Sequence, residues 1–255
     1  MEQVNVIKVG GAVVENADTL AQLLADFSAL PGAKVLVHGG GRSATQVAAN
    51  LGIESQMVGG RRITDEAMLR VVTMVYGGLV NKNVVARLQA LGVQALGLTG
   101  ADADLIRSHR RPVGEVDYGW VGDVDRVRGD LLATLIRQGI VPVVAPLTHD
   151  GEGHMLNTNA DTIASEVACA LTPFFDVTLT FCFEKRGLLR NPDDEESVVP
   201  FVSETDFARL KAEGVVSGGM VPKLENAFQA IRQGVRSVVI TRADHLDGQG
   251  GTCLS

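Results

Sequence analysis

The sequence predicts an α/β fold built on a mostly parallel central sheet with helices on both faces. Short apolar runs rich in β-branched residues recur at 4–9, 35–37, 93–99, 140–147, 176–183 and 235–241, and such runs suit strands buried on both faces. Between them lie longer stretches with apolar residues at helical spacing, the alternation that parallel strands with crossover helices require. Glycines also cluster at several strand-to-helix junctions, where bare backbone N–H groups can gather around an anion.

Taken in order, the first strand places Lys8 just before Gly10 and Gly11. A lysine there serves either a solvated sheet edge or a ligand approached across bare backbone. Leu20, Leu23, Leu24 and Phe27 mark an amphipathic helix that Pro31-Gly32 ends. Val35-Leu36-Val37 then leads through His38 into Gly39, Gly40 and Gly41, and Ala44, Val47, Ala48 and Leu51 define a helix that Gly52 closes. This junction is either a tight turn or an anion site. Its spacing fits neither G-x-G-x-x-G nor G-x-x-x-x-G-K-[ST].

A hairpin or flap is expected at 58–65, where Arg61 and Arg62 follow Gly59-Gly60. Their guanidinium forks either bind a carboxylate or phosphate or face solvent. Thr64 is expected to cap a long helix ending at Leu91, with Gly77-Gly78 in its middle for close packing or a subunit contact. Residues 106–128 read as a polar surface hairpin. Pro142 and Pro146 place the strand at 140–147 near an edge or a loop. Asn157, Asn159 and Asp161 precede the next helix, and capping explains one of the three side chains.

Pro173 marks a domain boundary dividing 1–172 from 173–255. In the second part a strand at 176–183 turns through Glu184-Lys185-Arg186-Gly187, and Ser203 with Asp206 forms a capping box. A further glycine loop, Val216-Ser217-Gly218-Gly219-Met220, leads to Pro222 at a first helical position. Lys223 then sits at the positive end of a helix, where an anion should compensate it.

The 255 residues include 30 Asp and Glu against 23 Lys and Arg, a formal net charge of −7 with no basic run. That balance excludes nucleic acid and membrane as expected partners, and an aromatic content of 4% argues against base-stacking platforms. Cys169, Cys182 and Cys253 show no metal-binding spacing and fit reduced thiols. The chain enters a strand directly after Met1-Glu2, without a signal-peptide pattern. No apolar run approaches the roughly 20 residues of a membrane span. A cytoplasmic protein without a site metal is expected.

Two lysines, an arginine and glycine N–H groups in an acidic chain suit two anionic ligands held together, as phosphoryl transfer demands. Five ordered motifs sharpen this: Lys8-Val9-Gly10-Gly11, His38-Gly39-Gly40-Gly41, Gly60-Arg61-Arg62-Ile63-Thr64, Asn157-Thr158-Asn159-Ala160-Asp161 and Gly218-Gly219-Met220-Val221-Pro222-Lys223. Together they resemble the amino acid kinase family, and within it the branch acting on N-acylated glutamate. The resemblance spans nearly the whole chain. The first motif alone would not separate that branch from aspartokinase, carbamate kinase or uridylate kinase.

The resemblance implies a three-layer αβα sandwich whose N-terminal half binds the acyl-amino acid and whose C-terminal half binds ATP with Mg²⁺. It implies phosphorylation of the γ-carboxylate of N-acetyl- or N-succinyl-L-glutamate in arginine biosynthesis. By motif match Lys8 and Lys223 stabilise the transferring phosphoryl group and Asp161 orients them. Gly40 and Gly41 hold the substrate through N–H groups, and Arg62 with Asn157 takes its α-carboxylate. Gly10, Gly11, Glu184, Gly187, Val216, Ser217 and Met220 serve the nucleotide. The family's usual Asp-Val-x-Gly turn is here Glu184-Lys185-Arg186-Gly187. Arginine-inhibited members carry a helix ahead of the first strand, which about three residues do not supply, so a homodimer insensitive to arginine is expected.

Overall fold

The computed structural model describes residues 1–183, 185–191, 193–216, 220–246 and 250–255. Its first elements are β1 (Gln3–Val9), α1 (Gly11–Glu15), α2 (Ala17–Ala29), β2 (Ala33–His38), α3 (Gly41–Asn50), the hairpin β3 (Met57–Val58) and β4 (Arg61–Arg62), α4 (Glu66–Val72), a π-helical stretch Thr73–Val80, α5 (Asn81–Ala90) and β5 (Ala95–Leu98). Then come β6 (Ile106–Arg110), β7 (Gly122–Val127), α6 (Gly129–Arg137), β8 (Val141–Val144), β9 (Leu147–His149), β10 (Met155–Asn157) and α7 (Ala160–Leu171). The chain continues as β11 (Asp176–Phe183), β12 (Phe201–Val202), α8 (Glu204–Ala212), α9 (Met220–Arg232), β13 (Ser237–Arg242) and β14 (Thr252–Leu254).

Among the described residues the central sheet runs β12-β14-β13-β11-β1-β2-β8-β5, parallel except where β14 lies antiparallel to β13. Successive residues of a strand face opposite ways, and each face of this sheet is covered. Val4, Val6, Val35 and Val37 pack against α6, α7, α8 and α9. Ile7, Val9 and Leu36 pack against α2 and α5 on the other face. The result is a three-layer αβα sandwich. β1 pairs with β2 on one side and β11 on the other, so one sheet runs through both halves of the chain.

Several local expectations give way to tertiary contacts. The strand containing Pro142 is interior, between β2 and β5. The Val141 N–H donates to Gln94 O, so the nitrogen of Pro142 faces β2, whose registered pairs with β8 begin only at Val143. No ladder bond is lost there. The supposed surface hairpin at 106–128 supplies β6 and β7 to a second sheet, ordered β10-β9-β6-β7. Leu51 is 58% exposed because α3 ends at Asn50, and only Ala44 and Ala48 of the expected stripe are fully buried.

The helix expected from Thr64 to Leu91 is α4, the π-helical stretch and α5 in succession, with Gly77-Gly78 inside the π stretch. Asp65 caps it, accepting the Met68 N–H at 2.7 Å. Thr64 is fully buried instead, for a reason that belongs to the site. The Ser203–Asp206 capping box forms as expected, whereas α9 starts at Met220, two residues ahead of Pro222. Among the described residues no helix is long and apolar enough to cross a membrane.

Candidate active site

The carboxyl ends of β1, β2 and β11 meet the N-terminal turns of α3, α7 and α9, the usual place for a ligand in an open α/β sheet. Lys8 shares the face of Val4 and Val6 and so points toward α7. Its Nζ lies 2.8 Å from Asp161 Oδ1. Asp161 is set there by Asn159, the cap of α7, whose side chain accepts the N–H groups of Asp161 and Thr162. From the far side comes Lys223, in the opening turns of α9. Phe183, the last residue of β11, lies beneath both cations, its ring centre 5.4 Å from Lys8 Nζ and 3.9 Å from Lys223 Nζ. Burial lowers the Lys223 pKa from its ordinary value, Asp161 acting to raise it and Lys8 to lower it further.

Beside the lysines, two glycine turns pack backbone against backbone. A Cβ on Gly11 would lie 3.5 Å from Gly41 N and 3.6 Å from Gly40 N, and one on Gly39 would lie 3.1 Å from Gly11 N. A side chain at Gly39 would press the turns apart slightly, whereas a Cβ at Gly11 would sit at ordinary contact distance. Gly41 opens α3, and the leading N–H groups of a helix have no intrahelical partner and carry partial positive charge.

The β3–β4 hairpin turns through Gly59 and Gly60, both at positive φ, the conformation a two-residue hairpin loop requires. It delivers Arg62, only 7% exposed, against α3. Arg62 donates to Gly41 O at 2.8 Å, to Thr45 Oγ1 at 3.0 Å and to Ser55 Oγ. Asn157 Nδ2 donates to Thr64 Oγ1 at 2.9 Å, which accounts for the burial of Thr64.

Two adjoining cavities result. One, of about 580 Å³, is lined by Gly10, Gly11, Phe183, Gly187, Met220 and Lys223 among others. The other, of about 160 Å³, is lined by Gly39, Gly40, Arg61, Tyr76, Asn157 and Asn159 among others. Gly41, Met57 and Arg62 line both. The structure therefore brings Lys8, Asp161 and Lys223 together, and sets Gly40, Gly41, Arg62 and Asn157 about the smaller space. Gly10, Gly11, Gly187 and Met220 face the larger one.

Val216 is not brought there. It is 2% exposed within the core beside α8 and α9, and its N–H donates to Leu210 O at 3.1 Å. The hydrophobic side chain is worth more in that core than against a polar ligand. Glu184 and Ser217 lie outside the described residues.

Sequence reasoning missed Phe183, Tyr76 and Thr45. An aromatic at the last position of a strand, just before a turn, was the available signal for Phe183. Tyr76 packs on the glycine turn, its Cδ1 3.0 Å from where a Gly40 Cβ would stand, a contact that no local pattern announces.

A family model described as the amino acid kinase family matches residues 3–242. The chain is 65% identical over 251 residues to the acetylglutamate kinase of Bacteroides fragilis, covering 98% of this chain and 96% of that one. It is likewise 65% identical over 252 residues to the acetylglutamate kinase of Parabacteroides distasonis, covering 99% of each. The solved structure of smu.665 from Streptococcus mutans matches with a TM-score of 0.79 at 27% identity, over 99% of this chain and 98% of that one.

Proposed function

The chain belongs to the amino acid kinase family, and from that premise we propose that it transfers the γ-phosphoryl group of ATP to the side-chain carboxylate of N-acetyl-L-glutamate. The observation that carries this reading is the meeting of the Lys8–Asp161 pair and Lys223 over the ring of Phe183, where Phe183 and Lys223 line the larger of two adjoining cavities. The large cavity suits the nucleotide and the small one an acyl-amino acid, with Arg62 and Asn157 toward its α-carboxylate.

The acceptor, a carboxylate with an ordinary pKa of about 4.3, is already ionised at neutral pH, so no general base is required. One of its oxygens attacks the γ-phosphorus while the bond to the β–γ bridging oxygen breaks, giving an acyl phosphate and ADP. Negative charge spreads over the transferring group, and rate depends on positioning and on cations placed in advance. Lys8 and Lys223 supply those cations, and Asp161 holds Lys8 in place. The N–H groups of Gly40 and Gly41 face the acceptor, and Gly10 and Gly11 let the γ-phosphate approach. The described lining of the large cavity holds no carboxylate. Mg²⁺ bound to ATP therefore fits here as an ion held by phosphates and water.

In this reading residues 1–172 bind the amino acid and a second copy of the chain, and residues 173–255 bind the nucleotide through Phe183, Gly187, Met220 and Lys223. Met74 and Leu79, 54% and 52% exposed on the long helix, support a homodimer across that face. Light scattering at twice the chain mass is the expected result, and a monomer would overturn it.

A coupled assay for ADP, with hydroxylamine trapping of the acyl phosphate, tests the reaction. Acceptors to compare are N-acetyl-L-glutamate, N-succinyl-L-glutamate, free L-glutamate and carbamate. Turnover of N-acetyl-L-glutamate with hydroxamate formation is expected. Turnover of another acceptor without N-acetyl-L-glutamate would overturn the reading.

A further inference from the structure

We propose that His38 and Asn81 are positioning residues for this reaction, a buried pair that holds the Gly39 carbonyl and so aims the N–H groups of Gly40 and Gly41 at the reacting groups. The inference rests on the kinase reading of the site. Neither residue touches the cavity, and both are fully buried.

His38 ends β2, and its Nδ1–H donates to Gly39 O at 2.8 Å. The Gly39 N–H donates to Val9 O at 2.9 Å. Both polar groups of Gly39 are thus spoken for, which orients the peptide that follows. The histidine does this only with its proton on Nδ1, and Asn81 enforces that tautomer. Asn81 Nδ2–H donates to His38 Nε2 at 3.0 Å and to Val143 O at 3.0 Å. Its Oδ1 accepts from Lys82 Nζ at 3.0 Å, and Lys82 also donates to Gly97 O at 2.9 Å. With every polar atom of the amide engaged, it has one orientation and leaves Nε2 only an acceptor's role. Burial pushes the His38 pKa down to about 4, with nearby Lys82 acting the same way, so the ring is neutral at working pH.

Two further features are built around this pair. The π-helical stretch ends immediately before Asn81. Bonding from i to i+5 brings residues five apart toward one face, whereas a 3.6-residue turn would separate them by about 140°. Tyr76 on Gly40 and Asn81 on His38 are five apart and address the same glycine turn. On β5, a Cβ at Gly97 would overlap Asn81 Oδ1 and approach Lys82 Nζ within 2.7 Å, so the missing side chain makes room for the network. Two buried polar side chains cost more than two leucines would, and they contribute an orientation that leucines lack.

The test compares H38N with H38Q, since asparagine places an amide N–H near the Nδ1 position and glutamine places one near Nε2. H38N should keep kcat within about threefold of wild type, and H38Q should lose about 100-fold in kcat, each with the KM for N-acetyl-L-glutamate changed less than its kcat. G97A and N81L should share one phenotype, about a tenfold loss in kcat. A ¹⁵N imidazole spectrum of the wild-type protein should show His38 protonated on Nδ1 alone, and that readout needs no turnover or variant to fold. An Nε2–H tautomer, or an H38Q as active as H38N, would overturn the inference while leaving the kinase reading standing. Turnover of a different acceptor without N-acetyl-L-glutamate would overturn the substrate reading without moving the spectrum.

Discussion

Lys8 Nζ and Asp161 Oδ1 stand 2.8 Å apart, the lysine side chain 9% exposed and the aspartate 23%. A carboxylate in such a place fixes where the ammonium points. Asp161→Asn removes the charge and keeps the shape. The expected result is a fall in kcat of about 100-fold, with the KM for N-acetyl-L-glutamate little changed, because phosphoryl charge is met mainly in the transition state. Steady-state kinetics checks this, and a raised KM at constant kcat would assign Asp161 to substrate binding.

Phe183 offers its ring face to Lys223 Nζ at 3.9 Å. Phe183→Leu keeps the apolar bulk and removes the quadrupole, which is worth about 0.5–2 kcal/mol to a nearby cation. We expect kcat/KM for ATP to drop about twofold to thirtyfold, with the KM for the amino acid unaffected. Equal losses for both substrates would mean that the ring merely packs the site.

The lowered pKa of Lys223 sets a direction for the pH profile. Its proton is held less tightly than in an ordinary lysine of pKa 10.5, burial being the main cause. As pH rises, the cation is lost earlier than it would be on an open surface, so kcat/KM for ATP should fall on the alkaline side below 10.5. Lys223→Arg carries a guanidinium that stays charged and should move that limb to higher pH. An unmoved limb would place the titration on another group.

His38 contributes to stability with the opposite pH direction from a paired histidine. Its pKa is about 4 in the fold against an ordinary 6.5, so the unfolded chain takes up a proton first as pH falls. The stabilisation is present above 6.5 and is lost between 6.5 and about 4, amounting to about 3 kcal/mol. Thermal unfolding from pH 7 to pH 4.5 should show a steeper fall in Tm for wild type than for H38N. Parallel curves would refute the assignment.

The sheet, its helical layers and the glycine turns were legible because hydrophobic periodicity, β-branched runs and turn chemistry are local properties of a chain. Lys223 stood out for a related reason, because a lysine at a positive helix terminus is locally unfavourable and invites an anion as its explanation. Lys8, Arg62 and Asp161 have ordinary local readings, and it was their place in the ordered motifs that singled them out. The composition likewise left local gathering of cations as the way for an acidic chain to hold anions.

Tertiary structure alone decided the rest. Thr64 has the chemistry of a cap, yet pairs with Asn157 from 93 positions away and leaves capping to Asp65. Val216 looks like part of a nucleotide loop and packs in the core. Phe183 gains its place only because β11 lies beside β1 and so brings the ring under two lysines from distant parts of the chain. The place of Asn81 beside His38 depends on Gly97 of another strand standing without a side chain. What the sequence by itself determined were the segments and the chemistry they carry. Which segments face one another, and therefore which polar groups find partners, follows from packing between residues far apart in the chain, and no local pattern encodes that.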